Sequence, residues 1–121
     1  MSERDLVGRL FKGIDSQDLE SFLACLSDDV FFRFGNAPGV KGKMAVGDTV
    51  RAFFESIQAV QHDVIETWEQ PGVVICRGQV TYTRHDASTL AVPFANILKL
   101  DGGLISEYLI YVDISGLYVS A

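Results

Sequence analysis

Two long stretches of alternating character constrain the fold more than anything else in this chain. They run from Val73 to Arg84 and from Thr89 to Leu100, joined by a short polar turn at Asp86-Ala87-Ser88. Along the first, Val74, Cys76, Gly78, Val80 and Tyr82 are apolar, small or amphipathic. Arg77, Gln79, Thr81, Thr83 and His85 between them are more polar. A period of two marks a strand with one covered face, so the even row points toward a core. Strands this long must twist or bend strongly to pack in a small domain. The even row ends in Arg84 and Asp86. A guanidinium and a carboxylate two residues apart at the end of an apolar row predict a polar floor or rim in an apolar hollow.

The elements around this pair follow from their own patterns. Leu6, Val7, Leu10, Phe11 and Ile14 recur at helical spacing and predict a helix over residues 3–14. Asp15 or Ser16 is the expected cap of a short second helix carrying Leu19, Phe22, Leu23 and Leu26, closed by Ser27-Asp28-Asp29. Val30 to Phe34 is a predicted strand, with Phe32 and Phe34 on one face. After the loop Asn36-Ala37-Pro38-Gly39, a third helix is expected from Lys43 to Val60, burying Val46, Val50, Phe53, Phe54 and Ile57. Asp63 to Glu69 is the next strand, turned by Gln70-Pro71-Gly72 into the long pair. Asp101-Gly102-Gly103 is a tight hairpin turn into a last strand, Leu104 to Ile114. The order is α-α-β-α-β-β-β-β. It predicts a single α+β domain over 1–121, with helices on one side of a bent antiparallel sheet.

Composition limits the function. At 121 residues the chain is long enough for one core, and 48% of it is hydrophobic. Its net charge of −6 argues against nucleic acid, which needs clustered Lys and Arg, and favours an uncharged ligand. No apolar run approaches the roughly 18–20 residues of a membrane span. Residues 1–5 lack the basic and apolar regions of a signal peptide, so a cytoplasmic protein is expected. Cys25 and Cys76 form no Cys-x-x-Cys and read as reduced packing thiols. With only His62 and His85 as histidines, neither a metal nor a cofactor is expected.

Extending the even row to the neighbouring strands places Phe34, Asn36, Phe94, Asn96, Leu98, Leu104, Ser106, Tyr108 and Ile110 on one inner face. Aromatic walls with a few convergent polar groups suit a small-molecule cavity. The candidate catalytic pair is Asp86, as base or acid, with Arg84 orienting it. Tyr82, Asn96 and Tyr108 are candidate polar contacts, and Phe34, Phe94, Trp68, Ile110 and Asn36 complete the lining. Each has a plainer reading. Arg84 and Asp86 also fit a rim ion pair, Asn96 a satisfied buried amide, the tyrosines and Trp68 core packing. His62, where a helix gives way to a strand, is either a base or a structural histidine. His85 falls in the outward row. Ile105, Leu109 and Tyr111 on the outer face suggest a homodimer.

The turn Gly42-Lys43-Met44-Ala45 and the hairpin Asp101-Gly102-Gly103-Leu104-Ile105 resemble the nuclear-transport-factor-2-like superfamily over nearly the whole chain. That group includes steroid delta-isomerases, SnoaL-type polyketide cyclases and limonene epoxide hydrolase. The resemblance implies a cone-shaped barrel of strongly bent sheet, three N-terminal helices on its concave face, and an apolar pocket. It also implies a homodimer paired through the outer sheet face. Arg84-His85-Asp86 is similar to the Arg-x-Asp of limonene epoxide hydrolase, and Tyr108 to Asp113 to its last-strand motif. There Ile110 stands where the family has its second catalytic Asp, and Asp113 matches a non-catalytic one. The implied activity is therefore cofactor-free proton transfer on a neutral apolar molecule, of the isomerase, cyclase or hydrolase kind. A non-catalytic ligand-binding or dimeric assembly module of the same fold is the alternative.

Overall fold

The computed structural model describes residues 3–118. In chain order it contains α1 (Glu3–Asp15), α2 (Leu19–Leu23), β1 (Leu26–Phe34), β2 (Val40–Lys41) and α3 (Lys43–Glu55). These are followed by β3 (Ala59–Gln70), β4 (Val73–Thr83), β5 (Thr89–Asp101) and β6 (Leu104–Val112). The six strands form one curled, unclosed sheet in the order β2-β1-β6-β5-β4-β3. Neighbours are antiparallel except β1 and β6, which run parallel. The helices cover the inner face. Their apolar stripes, such as Leu6, Leu10 and Ile14 from α1 and Val46, Val50 and Phe54 from α3, join the even rows of β4 and β5 in one core. This is the expected α+β cone.

Three register shifts bend the sheet: in β1 between Leu26 and Phe31, in β3 between Val64 and Glu66, and between Lys99 and Leu100 where β5 meets β6. The β3 and β5–β6 shifts each insert one residue on one side, the β1 shift inserts three, and such irregularities increase the local twist. At the β3 bulge, Gly78 of β4 lies opposite Val64. A Cβ there would stand 2.0 Å from the Asp63 carbonyl oxygen and 2.9 Å from the Val64 Cα, so only glycine allows this approach. The bulge also resets the alternation. Val60 and His62 face inward, but Trp68 pairs with Ile75 on the outer face and is 48% exposed. Trp68 therefore does not line the hollow as expected. The β5–β6 shift likewise turns Ile105 inward, where it is fully buried, while Leu104 is exposed and Ser106 is not in the core.

Several boundaries differ from expectation for local reasons. Asp15 is the last residue of α1, and Asp18 caps α2 instead, accepting the Ser21 amide at 3.2 Å and the Ser21 hydroxyl at 2.7 Å. Ser27-Asp28-Asp29 lies within the bulged start of β1. The third helix ends five residues before Val60, at Glu55. The Ser56 hydroxyl donates to the Phe53 carbonyl at 2.7 Å, and the Gln58 amide turns to Thr83 of β4, starting the sheet ladder. Consequently β3 begins at Ala59 rather than Asp63.

Candidate active site

Between α3, α1 and the inner sheet face lies a hollow walled by Phe32, Phe34, Phe53 and Ile110, with Thr49, His62, Tyr82 and Tyr108 as its polar members. The hollow is narrow, with a cavity volume of about 40 Å³. The rings interlock edge to face. Phe34 meets Phe53 at 4.9 Å between centroids, Phe53 meets Tyr82 at 5.8 Å, and Phe32 meets Tyr108 at 5.6 Å. Such contacts add about 0.5–1.5 kcal/mol each beyond the area they bury.

The most distinctive chemistry at the wall is His62, which lines the hollow and is held by a partner from a distant part of the chain. Asp15, at the C-terminal end of α1, approaches His62 of β3 with Oδ1 2.6 Å from Nδ1, and its Oδ2 accepts the His62 backbone amide at 3.0 Å. An ionised carboxylate only accepts hydrogen bonds, so the proton of this contact belongs to Nδ1. In the neutral ring Nε2 is then the basic nitrogen, and no protein group among the described residues occupies it. Two contacts from one carboxylate to one residue fix both the ring's tautomer and its orientation. The ring is clamped further by Phe11 at 4.8 Å and Phe94 at 5.2 Å. The His62 side chain is only 11% exposed and that of Asp15 29%.

Tyr82 and Tyr108 are 3% and 1% exposed. Burial pushes both phenols above their ordinary range, reinforced by Tyr118 at Tyr82 and by Cys76, Tyr82 and Asp15 at Tyr108. Their hydroxyls are therefore hydrogen-bond donors throughout the neutral range. Asn96 of β5 is fully buried, and neither its Oδ1 nor its Nδ2 has a hydrogen-bond partner in the described protein.

The expected catalytic pair sits elsewhere. β4 ends at Thr83, so Arg84 and Asp86 belong to the hairpin turn, where alternation no longer applies. Asp86 is exposed and accepts the Ser88 amide at 2.9 Å and the Ser88 hydroxyl at 2.5 Å. Those two bonds hold its carboxyl below the usual range, the Ser88 hydroxyl contributing most. Arg84 donates from Nε to the Leu117 carbonyl at 2.8 Å and from a terminal nitrogen to the Gly116 carbonyl at 2.9 Å. Its other terminal nitrogen reaches the Ser88 hydroxyl and the Thr89 carbonyl. Neither residue lines the hollow. Arg84 instead ties the C-terminal segment, with Leu117 buried, to the hairpin.

Of the other candidates, Tyr82, Tyr108, Phe34 and Ile110 line the hollow. Phe94 stands behind His62, and Asn96 is the register partner of Ile110. Asn36 is exposed in the turn after β1. The outward His85 donates from Nε2 to the Glu55 carbonyl at 2.8 Å, joining the hairpin to the end of α3. Among the described residues no three His, Cys, Asp or Glu side chains gather as a metal site, and no helix is long and apolar enough to cross a membrane. Asp15 had no sequence signal beyond its place at a helix junction, because its partner lies 47 positions away.

A curled six-stranded sheet closed over by three helices, with a ring-lined hollow between them, defines the NTF2-like cone. An NTF2-like protein of unknown function from Burkholderia pseudomallei superposes with a TM-score of 0.87 at 17% identity, covering 97% of this chain and 95% of that one. A proposed polyketide cyclase from Xanthomonas campestris gives 0.84 at 18% identity, over 94% and 92%. An LEH-like epoxide hydrolase from M. tuberculosis gives 0.80 at 13%, over 91% and 81%. The chain belongs to the SnoaL-like domain family, whose model matches residues 7–108. No protein of curated function matches it in sequence.

Proposed function

We propose that this protein is a cofactor-free enzyme that moves a proton on a small, neutral, largely apolar substrate, in the isomerase, cyclase or hydrolase manner. The observation that carries this reading is the 2.6 Å contact between Asp15 and His62, the latter a lining residue of the ring-lined hollow. His62 Nε2 takes the proton from a carbon next to a carbonyl, or from an attacking water. Asp15 holds the ring in the tautomer that leaves Nε2 free and stabilises the imidazolium that forms. Tyr82 or Tyr108 donates to the oxygen on which negative charge develops, and the low dielectric of the site strengthens that bond. Structural neighbours that include a proposed polyketide cyclase and an LEH-like epoxide hydrolase are consistent with this class.

Turnover of a panel of hydrophobic enones and epoxides tests it. His62→Ala should remove about 10²–10⁴-fold of the rate. Asp15→Asn should leave binding intact and lower kcat by a similar factor, since the amide no longer selects the tautomer. Asp86→Asn tells the two candidate bases apart: a loss as large as that of His62→Ala would move the chemistry to the hairpin. Full activity in His62→Ala would end the dyad reading.

The narrowness of the hollow favours a second reading, a non-catalytic binding or assembly module. Thermal stabilisation by apolar ligands without turnover of any panel member would support it.

We also propose a homodimer through the outer sheet face. Trp68, Ile75, Ile97 and Leu109 are consecutive register partners across β3, β4, β5 and β6, so they form one apolar line, with Tyr111 beside it at 54% exposure. A contiguous apolar line on an outer face is the kind of surface that a second copy covers.

A further inference from the structure

Among the described residues Asn96 is the one buried polar or charged side chain besides the tyrosines and cysteines, and both ends of its carboxamide are unpaired. No hydrogen-bond partner among the described residues reaches it. Its register partners are Cys76 on one side and Ile110 on the other, and Phe94 and Leu98 flank it along β5. A buried amide without partners is costly, and native cores keep one only where something else completes it. Asn96 is also next to the hollow. Ile110 belongs to the wall, and Tyr108, diagonal to Asn96 on β6, brings a hydroxyl within electrostatic reach of Cys76. That hydroxyl too has no protein partner among the described residues.

We propose that the ligand site continues past Ile110 and Tyr108 to the Asn96 carboxamide, and that the ligand presents a hydrogen-bond acceptor and a donor side by side on the edge of a neutral ring. A carboxamide offers one acceptor and two donors in a plane, so it pairs with an edge of complementary pattern, such as a carbonyl adjacent to an N–H or O–H. Tyr108 supplies one further donor to the same carbonyl. Ligand entry repacks Ile110, because the present hollow is too narrow for a ring. This inference rests on the reading of the hollow as a ligand site, but not on His62 being a base.

Three probes of similar size separate the contributions: benzamide carries the adjacent acceptor and donor, acetophenone the acceptor alone, and toluene neither. With ¹⁵N-labelled wild-type protein, benzamide should shift the Asn96 side-chain amide resonances and bind at least tenfold more tightly than toluene, with acetophenone between. Asn96→Leu should abolish that margin while leaving toluene affinity within about twofold. It should also raise the melting temperature of the free protein, because an apolar residue of similar shape leaves no polar atom unpaired. His62→Ala should retain the benzamide preference, so a failure of the catalytic reading leaves this test intact. Asn96 resonances unmoved at saturating benzamide would overturn the proposal. So would equal affinity for benzamide and toluene, the result expected if a buried water alone completes the amide. Should Asn96→Leu not fold, the wild-type resonances and probe ranking decide on their own.

Discussion

Burial keeps the Tyr82 and Tyr108 phenols protonated, and this has a cost at high pH. Unfolded tyrosine ionises near pH 10, whereas both folded groups ionise higher. Below about pH 10 their contribution to stability is complete. Above it the unfolded chain releases protons that the folded chain retains, so stability falls by up to about 1.4 kcal/mol per pH unit for each tyrosine. The Cys76 thiol, pushed up to about 11 by burial, begins the same loss nearer pH 9. Urea midpoints measured from pH 8 to pH 11.5 should hold to about pH 9 and then decline, more steeply above pH 10, where Tyr82→Phe or Tyr108→Phe should each reduce the slope. An unchanged slope would mean that these phenols are solvated. The tyrosines were legible in the sequence because they lie inside regular strands, where alternation places every side chain. Arg84 and Asp86 are not legible in that way, because β4 ends at Thr83 and alternation does not extend into the turn beyond it. Ala87, with a positive φ of 74°, marks how far the backbone departs there from extended geometry.

At the scale of elements, β4 and β5 are paired without interruption from Val73 with Lys99 to Thr83 with Thr89, as their period-two rows foretold. The start of β3 was not legible in the same way. Ile57 and Val60 also suit the buried face of a helix, and nothing local distinguishes the last helical turn from the first strand residues. The hydroxyl of Ser56 and the pull of the β4 ladder decide it. That choice is what places His62 within a strand, facing Asp15. The fit between β3 and β4 depends on Gly78, and Gly78→Ala should show this. Its methyl would overlap the Asp63 carbonyl, which belongs to the backbone and cannot move without breaking the pairing. We expect a loss of about 3 kcal/mol or more in urea unfolding, beyond the ordinary cost of a surface change. The same substitution at Gly8, where nothing lies within 4 Å, should cause no such loss.

At the scale of the whole molecule, one sheet divides the chain's tasks between its two faces. The inner face holds the core, the rings and the dyad. The outer face carries the apolar line from Trp68 to Leu109, beside the Arg77–Glu66 ion pair. Trp68→Glu should convert a dimer to a monomer in light scattering without altering the far-ultraviolet dichroism, because the residue belongs to no core cluster. A wild-type protein already at the monomer mass would remove the dimer from the account. Within β3 the irregularity between Val64 and Glu66 lets His62 look into the hollow while Trp68 looks out, although both are even-numbered. Deleting one residue there would put the two in phase, and the chain would have to surrender either its inward histidine or its outer tryptophan. Strand length at this point is thus under a stricter constraint than residue type. Exchanges at the exposed Val64 and Ile65 should be accepted where shortening is not.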